Sequence, residues 1–73
     1  MKAVNIIVTD KGHNPAAADL TLNKVYYAYR SEVGGVNLCG VVNEFTYYEL
    51  IDDVGDFCGV YERYEGIVLR EVP

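Results

Sequence analysis

Apolar residues along this chain are grouped in short runs that turn-forming residues separate. The runs, rich in Val, Ile, Tyr and Phe, lie at residues 3–8, 25–30, 36–42, 45–52, 57–62 and 67–72. β-Branched and aromatic residues favour strands, and short strands at spacings of about 8–12 residues are typical of small barrels. The third run is the weakest, because Gly40 interrupts it. The pattern predicts a mostly β fold, a small barrel or half-barrel of about five antiparallel strands.

The connections between the runs carry their own signals. Residues 10–20 are small and polar, and Pro15 followed by three alanines suits a helical turn that is too short to be stable alone. We therefore expect a polar loop or short helical turn there. Residues 52–56 fit a hairpin loop in which a type I turn places Gly55 in the left-handed conformation. Residues 63–66 are expected to form a short turn of the 3₁₀ kind.

Alternation in the second run separates two faces of the expected strand. Tyr27 and Tyr29 fall on one face and Tyr26 falls on the other. Neither face is plainly polar, so this strand is expected to be covered on both sides or to border a partner. The first and last runs, 3–8 and 67–72, are candidate sheet edges that could accept an extended peptide by strand addition.

The length of 73 residues is enough for one domain, residues 1–73, with one small core. At this size apolar burial and chain entropy nearly cancel, so small domains often gain a disulfide, a metal or a partner. No secretory leader follows Met1, which predicts a cytoplasmic protein in which Cys39 and Cys58 are free and buried. No apolar stretch approaches the roughly 20 residues of a membrane span, so no membrane association is expected.

Charge is unevenly placed along the chain. The formal net charge is −5, and residues 44–65 hold seven carboxylates against Arg63 alone. An acidic half repels phosphate, so direct sequence-specific binding of nucleic acid is not expected. It suits a basic protein surface, where complementary potential speeds encounter and fixes orientation. The alternative is a solvated face that keeps the protein soluble.

The sequence indicates no catalytic site, no metal site and no cofactor. His13 is the one histidine, and a site combining it with Cys39 and Cys58 would lack the close ligand spacing of zinc sites. The aspartates between residues 52 and 56 surround the expected hairpin turn, where Asp is favoured for its bonds to the backbone. A small hydrolase with either cysteine as nucleophile and His13 as base stays open, because it requires only that they meet in space.

Seven tyrosines are too many for so small a core. Strand alternation sends Tyr47 and Tyr48 to opposite faces, so at least one is expected to be accessible, and the same holds for Tyr26 and Tyr27. An accessible tyrosine cluster beside the carboxylates would bind Arg or Lys side chains through cation–π contacts and ion pairs. The candidate partner-binding residues are Tyr26, Tyr47, Tyr48, Glu49, Asp52, Asp53, Tyr61, Glu62 and Tyr64. Alternatively, the tyrosines cap the barrel edge with their hydroxyls in water.

Two segments resemble small SH3-like proteins that are common in phage and bacterial genomes. Residues 20–26 read LTLNKVY where those proteins typically have Leu-Thr-x-Gly-Lys-x-Tyr, and residues 47–55 read YYELIDDVG, similar to their apolar strand and Asp-Asp-x-Gly turn. Asn23 stands in the place of the glycine, and Asn tolerates the same left-handed backbone. The resemblance implies an SH3-like barrel over residues 20–72 and leaves function open, because such barrels serve many roles.

Length, acidity and the lack of a catalytic motif are also similar to those of phage-encoded transcription regulators. That resemblance implies a protein of the host cytoplasm that binds the β and β′ subunits of host RNA polymerase. Such a regulator inhibits host promoter initiation and lets the polymerase read through terminators. The alternative is an acidic interaction module that inhibits another host protein, such as a DNA-mimicking anti-restriction protein or an antitoxin-like inhibitor.

Overall fold

The fold is given by a computed structural model that describes residues 1–37 and 39–73. The strands of this part of the chain are β1 (Lys2–Asp10), β2 (Tyr26–Ser31), β3 (Tyr47–Ile51), β4 (Phe57–Tyr61) and β5 (Val68–Val72), and its two 3₁₀ helices are Pro15–Ala17 and Tyr64–Gly66. The prediction of a mostly β fold with about five antiparallel strands is confirmed. Each of these strands begins and ends within two residues of the apolar run that predicted it.

The five strands form one antiparallel sheet in the order β4-β3-β2-β1-β5. The sheet is open, with β4 at one edge and β5 at the other, so of the two predicted forms it is the half-barrel. The prediction of an edge at residues 67–72 is confirmed. The prediction of an edge at residues 3–8 is wrong, because β1 pairs with β2 on one side and with β5 on the other.

One face of the sheet, the core face, carries the buried apolar side chains. The cluster consists of Ile6, Val8, Tyr26, Ala28, Tyr48, Leu50, Cys58, Val60 and Leu69 from the strands and of Ala17, Leu20 and Ile67 from the connections. The first 3₁₀ helix packs here, and its start is fixed by Asn14, whose Oδ1 accepts the N–H of Ala16 at 3.0 Å. The predicted short helical turn within residues 10–20 is confirmed, with Pro15 at its first position.

Turn geometry follows the sequence signals. Gly55 has a φ of +86° and donates its N–H to the carbonyl oxygen of Asp52 at 3.1 Å, as predicted for the hairpin turn. Asn23 has a φ of +63°, the left-handed conformation expected where SH3-like sequences place glycine. The turn predicted at residues 63–66 is the 3₁₀ helix Tyr64–Gly66.

The connection between β2 and β3 differs from the prediction. The run at residues 36–42 was expected to be a third strand, but among its described residues only an isolated bridge joins Val36 and Val42, and Leu38 lies outside the described residues. Two buried side chains organise this loop instead: Asn37 Nδ2 donates to Asn43 Oδ1 at 3.1 Å, and Asn43 Nδ2 donates to Ser31 Oγ at 2.8 Å. Side-chain amides thus supplement the few backbone hydrogen bonds across this loop, such as the one from Asn37 N–H to the Val41 carbonyl oxygen at 2.9 Å.

Candidate interaction surface

Four of the predicted partner-binding residues are buried. Tyr26, Tyr47, Tyr48 and Glu49 are only 3–6% exposed. The expectation that at least one of Tyr47 and Tyr48 is accessible is therefore wrong, whereas Tyr27, at 62% exposed, fulfils the parallel expectation for its pair with Tyr26. A buried side chain gives a partner no contact area, so these four residues cannot form a docking surface in this fold.

Both faces of β3 are covered, which explains the error. Tyr48 faces the core and donates its hydroxyl hydrogen to Glu71 at 3.3 Å. Tyr47 lies on the opposite, outer face, where its ring contacts that of Tyr61 with centroids 4.7 Å apart. Its phenol occupies the space above Gly59, because a Cβ at that glycine would lie 1.8 Å from the Tyr47 hydroxyl oxygen. Burial raises the pKa of both Tyr47 and Tyr48 to about 12.

The exposed carboxylate of Asp53 is bonded to other residues of the same chain. It accepts hydrogen bonds from Lys24 Nζ and Thr21 Oγ1, both at 2.6 Å, and from the Tyr26 hydroxyl at 2.9 Å. These bonds, the one from Lys24 first, lower the pKa of Asp53 to about 2. Asp53 therefore fastens the β3–β4 hairpin to the segment before β2 and is not available as a docking charge.

Of the other predicted residues, Asp52 belongs to the hairpin turn, whereas Glu62 and Tyr64 lie at the surface. Asp52 Oδ1 accepts the N–H groups of Val54 at 3.1 Å and Asp56 at 2.9 Å, so Asp52 is the turn residue that the sequence indicated. Glu62 is partly exposed, and Tyr64 is 48% exposed. Both side chains are therefore accessible to a binding partner.

The outer face holds a groove that the list of predicted site residues missed. This aromatic groove is lined by Tyr27, Tyr29, Glu49, Leu50, Ile51 and Phe57. Tyr27 and Tyr29 meet edge to face with ring centroids 5.5 Å apart. Both are strongly exposed, as are Ile51 at 59% and Phe57 at 53%. The alternation of residues along β2 predicted that Tyr27 and Tyr29 share one face, so the sequence itself held the signal that identifies this pair.

A second groove lies beside the far end of β4. This loop groove is lined by Val41, Val42, Glu44, Phe45, Tyr61 and Tyr64. The rings of Tyr61 and Tyr64 are 6.3 Å apart, so two of the predicted residues do meet at an accessible site. Asn37 helps to position Tyr61 in this groove, because the Asn37 Nδ2 donates a hydrogen bond to the Tyr61 hydroxyl oxygen at 3.0 Å.

Accessible carboxylates lie at both ends of β4 and in the loop groove. Asp56 directly precedes β4, Glu62 directly follows it, and Glu44 lines the loop groove. The ion pairs found in the described part of the chain are Lys24–Asp53, Arg30–Glu32 and Arg30–Glu71, and none includes these three carboxylates. Both ends of β4 thus carry a negative charge that suits basic side chains.

The two thiols are not alike. Cys58 is buried, its Sγ donates to the carbonyl oxygen of Ala16 at 2.9 Å, and burial raises its pKa to about 11. Cys39 is free as predicted but exposed, which corrects the expectation that both are buried. A raised pKa disfavours the thiolate that a nucleophilic Cys58 would need.

Residues 1–37 and 39–73 show neither a metal cluster nor a membrane-spanning helix. Within them no group of three or more His, Cys, Asp or Glu side chains is placed to hold a metal ion. No helix there has the length and apolar character to cross a membrane. No family model, curated protein or solved structure matches the chain.

Proposed function

We propose that this chain is a non-catalytic, phage-type regulator that binds host RNA polymerase at its β and β′ subunits. The observation that carries the binding role is the aromatic groove, where four large side chains, Tyr27, Tyr29, Ile51 and Phe57, are each 45–62% exposed. The resemblance to phage transcription regulators supplies the partner and the outcome, which are inhibition of host initiation and promotion of antitermination.

Exposed apolar side chains gathered on one face have a physical cost that binding would offset. Apolar surface in water is unfavourable at about 25 cal/mol per Å², and contiguous patches on small proteins are most often interaction sites. Tyr and Phe give large contact areas with few rotatable bonds, so they lose little entropy when a partner immobilises them. Tyr27 and Phe57 lead this group in exposed aromatic area.

The regulatory effect would follow from differential binding. A small protein that binds one conformation of the polymerase more tightly shifts the population toward that conformation. An affinity ratio of about 10⁴ between two states is needed to move an equilibrium from 1:99 to 99:1. We infer that the chain favours a polymerase state that retains σ factor poorly and ignores terminators, so that one contact produces both effects.

The distribution of acidic groups favours this proposal over DNA mimicry. Of the seven carboxylates in residues 44–65, Glu49 is buried, Asp53 is bound by three internal donors and Asp52 is bound by its own turn. A DNA mimic needs an exposed array of charges that imitates successive phosphates. Of the carboxylates that remain, Glu44 lines the loop groove, and Asp56 and Glu62 lie at the two ends of β4.

Purified host RNA polymerase core tests the proposal directly. We expect the chain to bind core enzyme, to inhibit promoter-dependent initiation and to raise read-through at a terminator. Tyr27→Ser combined with Phe57→Ser should weaken binding by about tenfold or more, since two exposed aromatic contacts are removed. Val68→Ser is the matched control, because Val68 is 53% exposed on β5 and away from both grooves. Absence of binding to core enzyme, or equal loss in both variants, would contradict the proposal.

A further inference from the structure

The edge strand β4 connects the two grooves. Phe57, its first residue, lines the aromatic groove, and Tyr61, its last residue, lines the loop groove. We propose that β4 accepts an extended, basic segment of the partner protein as an additional strand, with two apolar side chains four residues apart entering the two grooves. This inference deepens the proposed function, since it assumes a protein partner.

The spacing along β4 fits such a segment. In a strand, residues i, i+2 and i+4 lie on one face, and four residues span about 13 Å. Phe57, Gly59 and Tyr61 therefore share the outer face of β4. An added strand would place its residues i and i+4 beside the two grooves and its residue i+2 beside Gly59. No side chain projects from Gly59, and the Tyr47 phenol lies over it, so the central residue of the added strand would lie beside that ring.

The two edges of the sheet differ in how they are protected. β5 reads VLREV and is followed by Pro73, so it carries two charges and a proline, devices that discourage strand pairing. β4 reads FCGVY and carries neither charge nor proline. Edge strands without such protection are templates for pairing with another chain. Of the two edges, β4 is therefore the one built to accept a strand.

The charges at the two ends of β4 indicate what kind of chain can pair with it. Asp56 precedes β4 and Glu62 follows it, each three residues from Gly59. If two copies of β4 paired antiparallel about Gly59, Asp56 of one copy would lie opposite Glu62 of the other, and like charges in that position are destabilising. A segment with Lys or Arg at its ends would instead meet a carboxylate at both ends. The occupant is thus a basic segment and not a second copy of this chain.

A synthetic peptide provides the test. The probe is acetylated and amidated KKLTKTLKK, in which the leucines are four residues apart, and its isomer KKLTKLTKK places them three apart, on opposite faces. We expect titration with the first peptide to shift the backbone amide signals of β4 and its flanking carboxylate residues. The isomer should bind about tenfold more weakly, because one of its leucines points away from the grooves. Equal binding of the two peptides, or no binding of either, would overturn the inference.

Backbone methylation separates strand addition from simple groove binding. N-methylation of one alternate set of amides in the probe removes the hydrogen bonds to β4, whereas methylation of the other alternate set leaves them. We expect only one set to abolish binding. If both sets are tolerated, or both abolish binding, strand addition is wrong. Phe57→Ser and Tyr64→Ser should each weaken the probe severalfold, and Val68→Ser should not.

A comparison of polymerase binding with probe binding distinguishes the strand-addition inference from the proposed function. If polymerase core binds and the probe neither competes nor shifts β4, the inference fails and the proposed function stands. If the probe binds β4 in the expected way and polymerase core does not bind, the proposed partner is wrong and the strand-accepting edge stands. Retained dispersion of the amide spectrum in each variant confirms that the fold is intact.

Discussion

At the residue scale, the carboxylate of Asp53 links distant parts of the chain. Its three donors, Thr21, Lys24 and Tyr26, are 27–32 residues away in the sequence. The backbone N–H of Asp53 also donates to the carbonyl oxygen of Asp19 at 3.1 Å. One hairpin residue thus fixes the whole approach to β2, a role that short-range sequence patterns do not express.

Asp53 gives the stability of the protein a defined acid dependence. Its folded pKa of about 2 lies below the ordinary value of 3.8, so its contribution is complete above pH 3.8 and is lost as pH falls toward 2. We expect Asp53→Asn to be less stable than the wild type at neutral pH and the difference to shrink below pH 4. Urea unfolding across this range measures it. Asp56→Asn is the control, since its exposed side chain should change stability little; equal effects would refute the assignment.

The two cysteines should react at very different rates. Cys39 is exposed, whereas Cys58 is buried with a pKa of about 11, so little of it is thiolate near pH 8. We expect a disulfide reagent to modify one thiol per folded chain rapidly and the second only as fast as the structure opens. The Cys39→Ser variant should lose the fast phase and Cys58→Ser should keep it. A fast phase that survives in Cys39→Ser would contradict the burial of Cys58.

At the scale of elements, the connection between β2 and β3 shows how a buried polar side chain organises a loop. Asn43 is 1% exposed, donates to Ser31 and to the carbonyl oxygen of Glu32, and accepts from Asn37. Backbone bonds from Asn43 to Gly35 and from Gly34 to Asn43 complete the set. This network holds the loop beside Tyr61 and so shapes the loop groove.

Removing the side-chain amide of Asn43 should destabilise the fold. We expect Asn43→Ala to lower the free energy of unfolding by about 1–3 kcal/mol, because its buried partners lose their hydrogen bonds. Denaturant titration measures the change. Val41→Ala, on an exposed residue of the same loop, should stay within about 0.5 kcal/mol of the wild type. A loss from Asn43→Ala no larger than that of this control would show that the network does not stabilise the loop.

Local pattern predicted the strands and turns because both depend on neighbouring residues. Alternation placed β2 and its two faces, and Gly55 placed the hairpin turn. The same reasoning failed at residues 36–42, where the Asn37 side chain bonds to Asn43 and Tyr61, and at Tyr47, whose burial depends on Tyr61 and Gly59 of another strand. The candidate surface was therefore found only in part: Tyr61, Glu62 and Tyr64 were foreseen, and the aromatic groove was not.

At the scale of the whole molecule, charge and apolar surface act together. The net charge of −5 is concentrated in residues 44–65, the same part of the sequence that holds β3, β4 and most of the groove lining. Charge of this kind guides an approaching basic partner, while the exposed rings supply contact area once it arrives.

The salt dependence of binding separates these two contributions. Raising ionic strength from about 0.01 M to about 1 M shortens the Debye length from about 30 Å to about 3 Å. We expect the basic probe peptide to bind at least about tenfold more weakly at high salt, mainly through a slower association rate. Asp56→Asn combined with Glu62→Gln should flatten this dependence, and Tyr27→Ser should leave its slope unchanged. Binding that is insensitive to salt would remove charge from the mechanism.

The position of β1 between β2 and the last strand, β5, has a consequence for folding kinetics. Its pairing with β5 brings Asn5 opposite Val72 and Val8 opposite Leu69, residues more than 60 positions apart in the sequence. High contact order of this kind slows folding to the range of milliseconds to seconds, because a long loop must close before the contact is gained. The β3–β4 hairpin needs only a five-residue loop to close, so its strands can pair without closing a long loop. We therefore expect this hairpin to be structured in the folding transition state and the β1–β5 ladder to form last.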